Sequence, residues 1–390
     1  MLRYFPILFI VLLVLSFIPS FVFAKSANDS HKRFISLNPH FHHGSFNGTF
    51  YDGEALRLNP SQLKEGNDTS GKYHSGSYYY GTWTSPVIYE NFLDSIASWT
   101  ANTPENTWIE VELRIQNGSS WSSWYSMGVW HESDQPFQRH SVSGQSDEFG
   151  RVSVDTLILE QPASAVQARV TLFTTVPGLT PALSSLGISV ASGKDEPGQV
   201  PRTGKVSALD VPMRSQMIYP DGGEVWCSPT SVSMVMAYWA KVMNQSEWDQ
   251  PVPEVAEKVW DHVYDGAGNW SFNTAYASSR GLEAKVVRLT SLADAEQWTA
   301  HHVPVIASIA YGEGELPGSP IPRSNGHLLV IRGFDENGDV LTNDPAGPSD
   351  REVRIKYPRE AFEKAFLNHS NGTVYLIYPS SWDTPPGDRW

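Results

Sequence analysis

The chain holds one cysteine, Cys227, in Val-Trp-Cys-Ser-Pro-Thr-Ser over 225–231. In an exported protein a structural cysteine normally finds a disulfide partner, and this one has none within the chain. Ser228 and Pro229 follow it, and a helical pattern begins there. The sulfur is therefore expected at a helix N-terminus, where the macrodipole and unpaired N–H groups favour the thiolate. The chemistry this suggests is nucleophilic attack.

A thiol nucleophile needs a base to keep it ionised, and the base needs a third group to orient its ring. Among twelve histidines, His327 has the most structured setting, just after Ser324-Asn325-Gly326 and at the head of Leu328-Leu329-Val330-Ile331. A core histidine with one satisfied hydrogen bond is the plain alternative. Asn337-Gly338 is a strong hairpin turn and falls near the midpoint between His327 and Asp344. The start of one strand and the end of its antiparallel neighbour meet at one sheet edge, with opposed Cβ atoms about 5 Å apart. A two-residue turn leaves an offset, so the chain must bend near Asn343 for the two side chains to meet. Asn343 is a rival orienter, although strand alternation points it to the other face, and Asp344-Pro345 also reads as a turn starter. Gln216 lies eleven residues before Cys227. Its amide could complete an oxyanion hole with the Cys227 N–H, though a glutamine in a loop is common.

In order, the chain presents Val-Pro-x-x-Ser-Gln, Trp-Cys-Ser-Pro-Thr-Ser-x-x-Met, Gly-His-Leu-Leu-Val-Ile-x-Gly-Phe and Asn-Asp-Pro. This set resembles a papain-fold cysteine peptidase. It is most similar to the exported, stand-alone relatives of the bacteriocin-processing (double-glycine leader) peptidases. The similarity spans about 205–380 and takes in Gly268-Asn269-Trp270-Ser271-Phe272-Asn273 and Val303-Pro304-Val305-Ile306. It implies Cys227 as nucleophile, His327 as acid–base, Asp344 as the group orienting the histidine and Gln216 as oxyanion donor. It implies neither a metal nor an organic cofactor. The family often has glycine directly after the cysteine and alanine after the proline, where this chain has Ser228 and Thr230. The Gln–Cys gap is also longer, with 219–224 resembling an inserted turn.

These residues need elements to position them. Residues 1–24 have a secretory-signal layout: Arg3, an apolar run over 7–18, a break at Pro19-Ser20 and a small-x-small site at Val22-Phe23-Ala24. The run falls short of a span of roughly 20 residues, so the mature chain is expected to be exported, without a stable membrane span. What remains exceeds what one hydrophobic core normally serves, and two domains are expected. The segment 191–206, ASGKDEPGQVPRTGKV, reads as a linker.

Upstream, over 30–190, period-two alternation in 107–115, 152–160 and 166–174 predicts an all-β sandwich, with Asn117-Gly118 among its turns. Downstream, over 207–380, apolar residues in 229–243 recur on one helical face, and 253–263 and 272–279 read as helices, the latter stopped by Gly281. Strands are expected at 303–309, 327–334, 340–343 and 374–378, with 381–390 as a tail. Helices followed by an antiparallel sheet give an α+β class for the second domain.

Several features carry weaker chemistry. Trp121, Trp124, Tyr125 and Trp130 could form a sugar-stacking face for a glycan or cell-surface ligand, although sandwich packing explains them more simply. His40, His42 and His43 lack nearby cysteine or paired carboxylates and read as a surface loop, not a metal site. Asn337-Gly338-Asp339 lacks the later ligands of a calcium loop and reads as a turn. His301-His302 closes a helical pattern before Val303-Pro304. A formal charge of −14 without a basic block argues against a nucleic-acid partner. The expected function is exported hydrolysis of amide bonds in a peptide or protein substrate. Acyl transfer or cell-wall peptide hydrolysis by the same groups, and a catalytically degenerate binding protein, are the alternatives.

Overall fold

The computed structural model describes residues 32–390 apart from 74, 75, 134, 135, 194, 196, 369 and 388. The expected signal at 1–24 lies outside the described residues. Residues 32–191 form two antiparallel sheets. In one, Phe92–Asn102 and Ala182–Ala191 are central, with Thr156–Ala163 and Gly150–Ser153 on one side and Leu56–Leu58 and Thr49–Tyr51 on the other. The strand Lys32–Ser36 also pairs with Ala182–Ala191. In the other, the order is Tyr125–Trp130, Thr107–Asn117, Ala165–Thr174, Gly76–Thr84 and Ser45–Asn47.

The alternation in Thr107–Asn117 explains the packing. Ile109, Val111, Leu113 and Ile115 are buried in the main core. Glu110, Glu112 and Arg114 take the other face, where Glu112 pairs with Arg169 at 2.6 Å. That outer face is not wholly polar, because Trp108 stacks on Phe173 with ring centroids 4.9 Å apart.

One expected strand is broken. Residues 152–160 alternate over 152–155 and run apolar over 157–159, and they form two strands joined at Val154-Asp155. Val154 takes φ +57°, a left-handed conformation that alternation alone cannot signal for a β-branched residue. The aromatic run also divides. Tyr125 and Trp130 are core residues. The Arg114 guanidinium lies 4.5 Å from the Trp121 ring and 4.7 Å from that of Trp124, and Arg169 lies 4.3 Å from the latter. These indoles already hold cationic partners.

Among the described residues of 207–378, five α-helices pack around a third antiparallel sheet. Its strands run in the order Glu283–Arg288, Thr373–Tyr378, Val305–Tyr311, Ser324–Phe334, Val340–Asn343 and Arg354–Tyr357. Helix α1 is Cys227–Met243, with Val232, Val235, Met236 and Trp239 fully buried, as its apolar spacing predicts. Helix α2, Val252–Val259, ends before the expected 263. The reason is Asp261, whose Oδ1 accepts the N–H groups of Val263 at 3.1 Å and Tyr264 at 3.0 Å and draws the chain into a loop. Helix α3, Trp270–Ser279, begins two residues earlier than expected because the Asn269 side chain caps the Phe272 N–H at 3.1 Å. Gly281, at φ +90°, stops it. Helices α4, Leu292–Ala300, and α5, Arg359–Leu367, complete the set.

Helix α3 belongs to both regions. Ser271 donates to the Ala97 carbonyl at 2.7 Å and Ser278 to that of Trp99 at 3.2 Å. Phe272 packs edge-on to Trp99 and against Trp130, with centroids 6.2 Å and 5.4 Å away. A Cβ at Gly128 would come within 2.8 Å of the Phe272 ring, so only glycine permits this approach. One core of buried apolar side chains therefore runs through both regions. The segment after Ala191 crosses the surface of the second region, where the Gly198 N–H bonds Glu363 and Arg202 bonds the Glu336 carbonyl, both at 3.0 Å.

Candidate active site

Cys227 is the first residue of α1 and is half-buried. The first-turn N–H groups of a helix have no intrahelical acceptor, so they surround the sulfur with partial positive charge. His327 comes from the sheet strand Ser324–Phe334, three residues beyond the point where Val330 pairs with Asn343. The chain then turns after Asn343, with the Asp344 N–H held by the Val353 carbonyl at 2.7 Å. That bend closes the hairpin offset and places Asp344 Oδ1 2.7 Å from His327 Nε2. Asn343 points away, its amide donating to the carbonyls of Val211 at 3.1 Å and Pro212 at 3.0 Å.

With Nε2 committed to Asp344, Nδ1 is the ring atom left for Cys227, and the thiol and ring hydrogen-bond each other. Burial by itself would raise the thiol pKa. The hydrogen bond to His327, the imidazolium charge, and the Leu328 and Ser228 N–H groups outweigh it and hold Cys227 below its ordinary value. His327 behaves conversely. Burial disfavours its charge, but the Asp344 carboxylate, its hydrogen bond and the Cys227 thiolate push the ring up to about 10. Burial would also raise Asp344, yet the His327 charge and the hydrogen bonds from His327, Tyr357 and the Ala346 N–H bring it below the usual carboxylate range. The arrangement favours a thiolate–imidazolium pair braced by a carboxylate.

Gln216 is buried in a short turn at Gln216–Ile218. Its Nε2 donates to the Gly223 carbonyl at 3.0 Å and to that of Glu224 at 2.8 Å, while Oε1 is buried without a hydrogen-bond partner. The residues resembling an insertion, 219–224, supply these acceptors, and Gly222 makes the turn at φ +97°. The backbone N–H of Cys227 lies on the helix end; the Gln216 amide is spent on the loop leading to it.

Two side chains join the site without a sequence signal. Tyr357 donates its hydroxyl to Asp344 Oδ2 at 2.6 Å. Ser228 hydrogen-bonds the buried Tyr375 hydroxyl at 3.0 Å, which satisfies its side-chain oxygen beside Cys227. The remaining candidates stay apart. His40, His42 and His43 lie in the short helix Asn38–His43. Asn337-Gly338 is a turn, with Gly338 at φ +85°. Among the described residues no group of three or more His, Cys, Asp or Glu side chains is gathered as a metal-binding cluster. No helix among them is long and apolar enough to cross a membrane.

A helix-borne thiol facing a histidine and carboxylate on an antiparallel sheet defines the papain-like class. Residues 208–374 match the peptidase C39-like family, and residues 31–191 match the peptidase C39 N-terminal domain. The chain is a relative of the C39 papain-like cysteine peptidases, with the peptidase-like region preceded by an all-β one. No curated protein matches the sequence.

Proposed function

We propose that this chain is an exported cysteine peptidase that hydrolyses peptide bonds through Cys227, His327 and Asp344. The observation that carries the reading is the contact of Cys227, at the head of α1, with a His327 ring whose other nitrogen lies 2.7 Å from Asp344. The Cys227 thiolate attacks the carbonyl carbon of the substrate. The Cys227 N–H and Gln216 hold the resulting oxyanion, and Gln216 does so by exchanging one loop carbonyl for the new acceptor. The His327 imidazolium donates its Nδ1 proton to the departing amine, leaving an acyl-enzyme and a neutral ring. Water then attacks the thioester, His327 takes its proton, and the acid leaves as the thiolate returns. Asp344 keeps the ring in place and stabilises its charge throughout.

The test is the alkylation rate of Cys227 against pH in the native chain and in His327→Ala, followed by a peptide-library digest. One thiol makes the first readout unambiguous. An unreactive thiol with no dependence on His327, and no cleavage, would move the reading to a binding protein. A new amide bond formed with an added amine would indicate transfer instead of simple hydrolysis.

A further inference from the structure

The chain between Gln216 and Cys227 is fastened to both sides of the site. Its first turn, Gln216–Ile218, is tied to the bend that carries Asp344. The Gln216 N–H bonds the carbonyl of Pro345, the residue after Asp344, at 2.9 Å, and the Ser215 N–H bonds Asp350 Oδ1 at 2.6 Å. Its second turn, Gly223–Val225, leads into α1, with the Trp226 N–H on the Gly223 carbonyl at 2.9 Å. The Gln216 side chain joins the two turns through the Gly223 and Glu224 carbonyls. The turns also touch directly. A Cβ at Gly223 would fall 2.2 Å from the Gln216 carbonyl oxygen and 2.9 Å from the Tyr219 Cβ.

What this pinned segment presents to solvent is apolar. Val225 is 60 %, Ile218 48 % and Met217 45 % exposed. The half-buried rings of Tyr219 and Trp226 pack on each other, with centroids 5.9 Å apart. The chain itself sets how near these side chains stand to the chemistry. Val225 is two residues from Cys227 and Ile218 two from Gln216, so each Cα lies within about 7 Å of that neighbour's. The charged residues of the segment, Asp221 and Glu224, are both acidic and exposed. Exposed apolar side chains gathered at a reactive group mark a binding surface. Held on a fixed backbone, they lose little further ordering entropy when a ligand covers them.

We propose that Met217, Ile218 and Val225 form an apolar lip beside the nucleophile and select a substrate with an apolar side chain flanking the attacked carbonyl, while Asp221 and Glu224 disfavour an acidic one. The substrate class rests on the peptidase reading above. The place of the lip rests on the chain's continuity with Cys227 and on the bonds of 215–226 to Pro345 and to one another. Successive Cα atoms of an extended peptide are about 3.8 Å apart, so a substrate carbonyl at the sulfur brings its flanking side chains within reach of this segment.

The test uses the full chain and needs no known substrate. Cys227 is alkylated by two probe series, each varied in one side chain. Bromoacetyl dipeptide amides carry that side chain after the reacting carbon, and N-acetyl aminoacyl chloromethyl ketones carry it before. In both, the thiolate forms a C–S bond and expels bromide or chloride. Dividing each rate by that of iodoacetamide cancels changes in thiol ionisation. In at least one series the leucine and methionine members should exceed glycine by about tenfold, with aspartate slowest. The combined substitution Met217→Ser, Ile218→Ser and Val225→Ser should shrink that spread to within about twofold. These side chains are exposed, so the melting temperature should stay close to that of the native chain. Leu179→Ser, at a 40 % exposed position of the all-β region, should leave the spread intact. A flat profile in both native series, or a spread that survives the triple substitution, overturns the proposal. A thiol indifferent to His327 would sink the peptidase reading instead, while the side-chain spread still decides whether the lip binds apolar groups.

Discussion

Tyr357 and His327 bind opposite oxygens of one buried carboxylate: the Tyr357 hydroxyl reaches Asp344 Oδ2 at 2.6 Å, and His327 Nε2 lies 2.7 Å from Oδ1. Together they leave Asp344 a single orientation. Tyr357→Phe should therefore keep the fold but lose about 1.5–3 kcal/mol of stability, the usual worth of a hydrogen bond to a charged group. If about half of that loss is felt in the transition state, kcat falls on the order of tenfold with KM little changed. Denaturant titration and steady-state kinetics read the two effects, and an unchanged kcat would confine Tyr357 to stability.

The pH dependence follows from the pair. Peptide cleavage should be bell-shaped. As pH falls below the lowered pKa of Cys227 the thiolate is protonated and the rate drops; as pH rises through about 10 His327 loses the proton it must donate. In folding, a histidine raised in this way contributes stability fully below its unfolded value of about 6.5, and loses it as pH passes its folded value. In His327→Ala the thiol keeps its burial and loses its cation, so its alkylation midpoint should climb above roughly 8.5. A midpoint that stays put would break the assignment.

Gln216→Ala separates two roles. As oxyanion donor, Gln216 should be worth about 10²–10³ in kcat. As a brace for 223–224 it should be worth only stability, through its bonds to the Gly223 and Glu224 carbonyls at 3.0 and 2.8 Å. We expect both losses. A melting-temperature drop with kcat intact would leave the oxyanion to the backbone alone.

Phe272 joins the two regions through Trp99 and Trp130. Phe272→Ala should cost about 3–5 kcal/mol, the range for a fully buried aromatic. Because the core is continuous, fluorescence and far-ultraviolet dichroism should report one transition in the native chain. Two separated transitions would contradict this.

Asp155 supplies a second pH signature. Burial, partly offset by the bonds from Trp270 and Thr156, lifts its pKa to about 6. A carboxyl raised on folding contributes stability that is complete below its unfolded value of about 3.9 and is lost as pH rises through about 6. Asp155→Asn should remove that slope between roughly pH 4 and 6, measured as melting temperature against pH relative to the native chain. Parallel curves would show that the carboxyl does not titrate there.

The sequence by itself determined where the candidate residues fall in the elements. A lone cysteine before Ser-Pro and a helical stripe places a thiol at a helix head, since both the stripe and the start of the helix are local properties. The Asn337-Gly338 hairpin brought His327 and Asp344 toward one edge, because turn chemistry and strand alternation act over a few residues. Alternation likewise marked the strands Thr107–Asn117 and Ala165–Thr174 of the all-β region. Only tertiary structure decided the rest. Alternation could not show the turn at Val154-Asp155, because its purpose, a carboxylate on the Trp270 N–H, lies 115 residues away. Helix α2 stops short for a carboxylate shared with Ser141, 120 residues distant. Tyr357 became the brace of Asp344 through packing between elements that no local pattern encodes. Pattern follows backbone geometry, whereas a site is completed by whichever buried groups must satisfy one another's hydrogen bonds and charges.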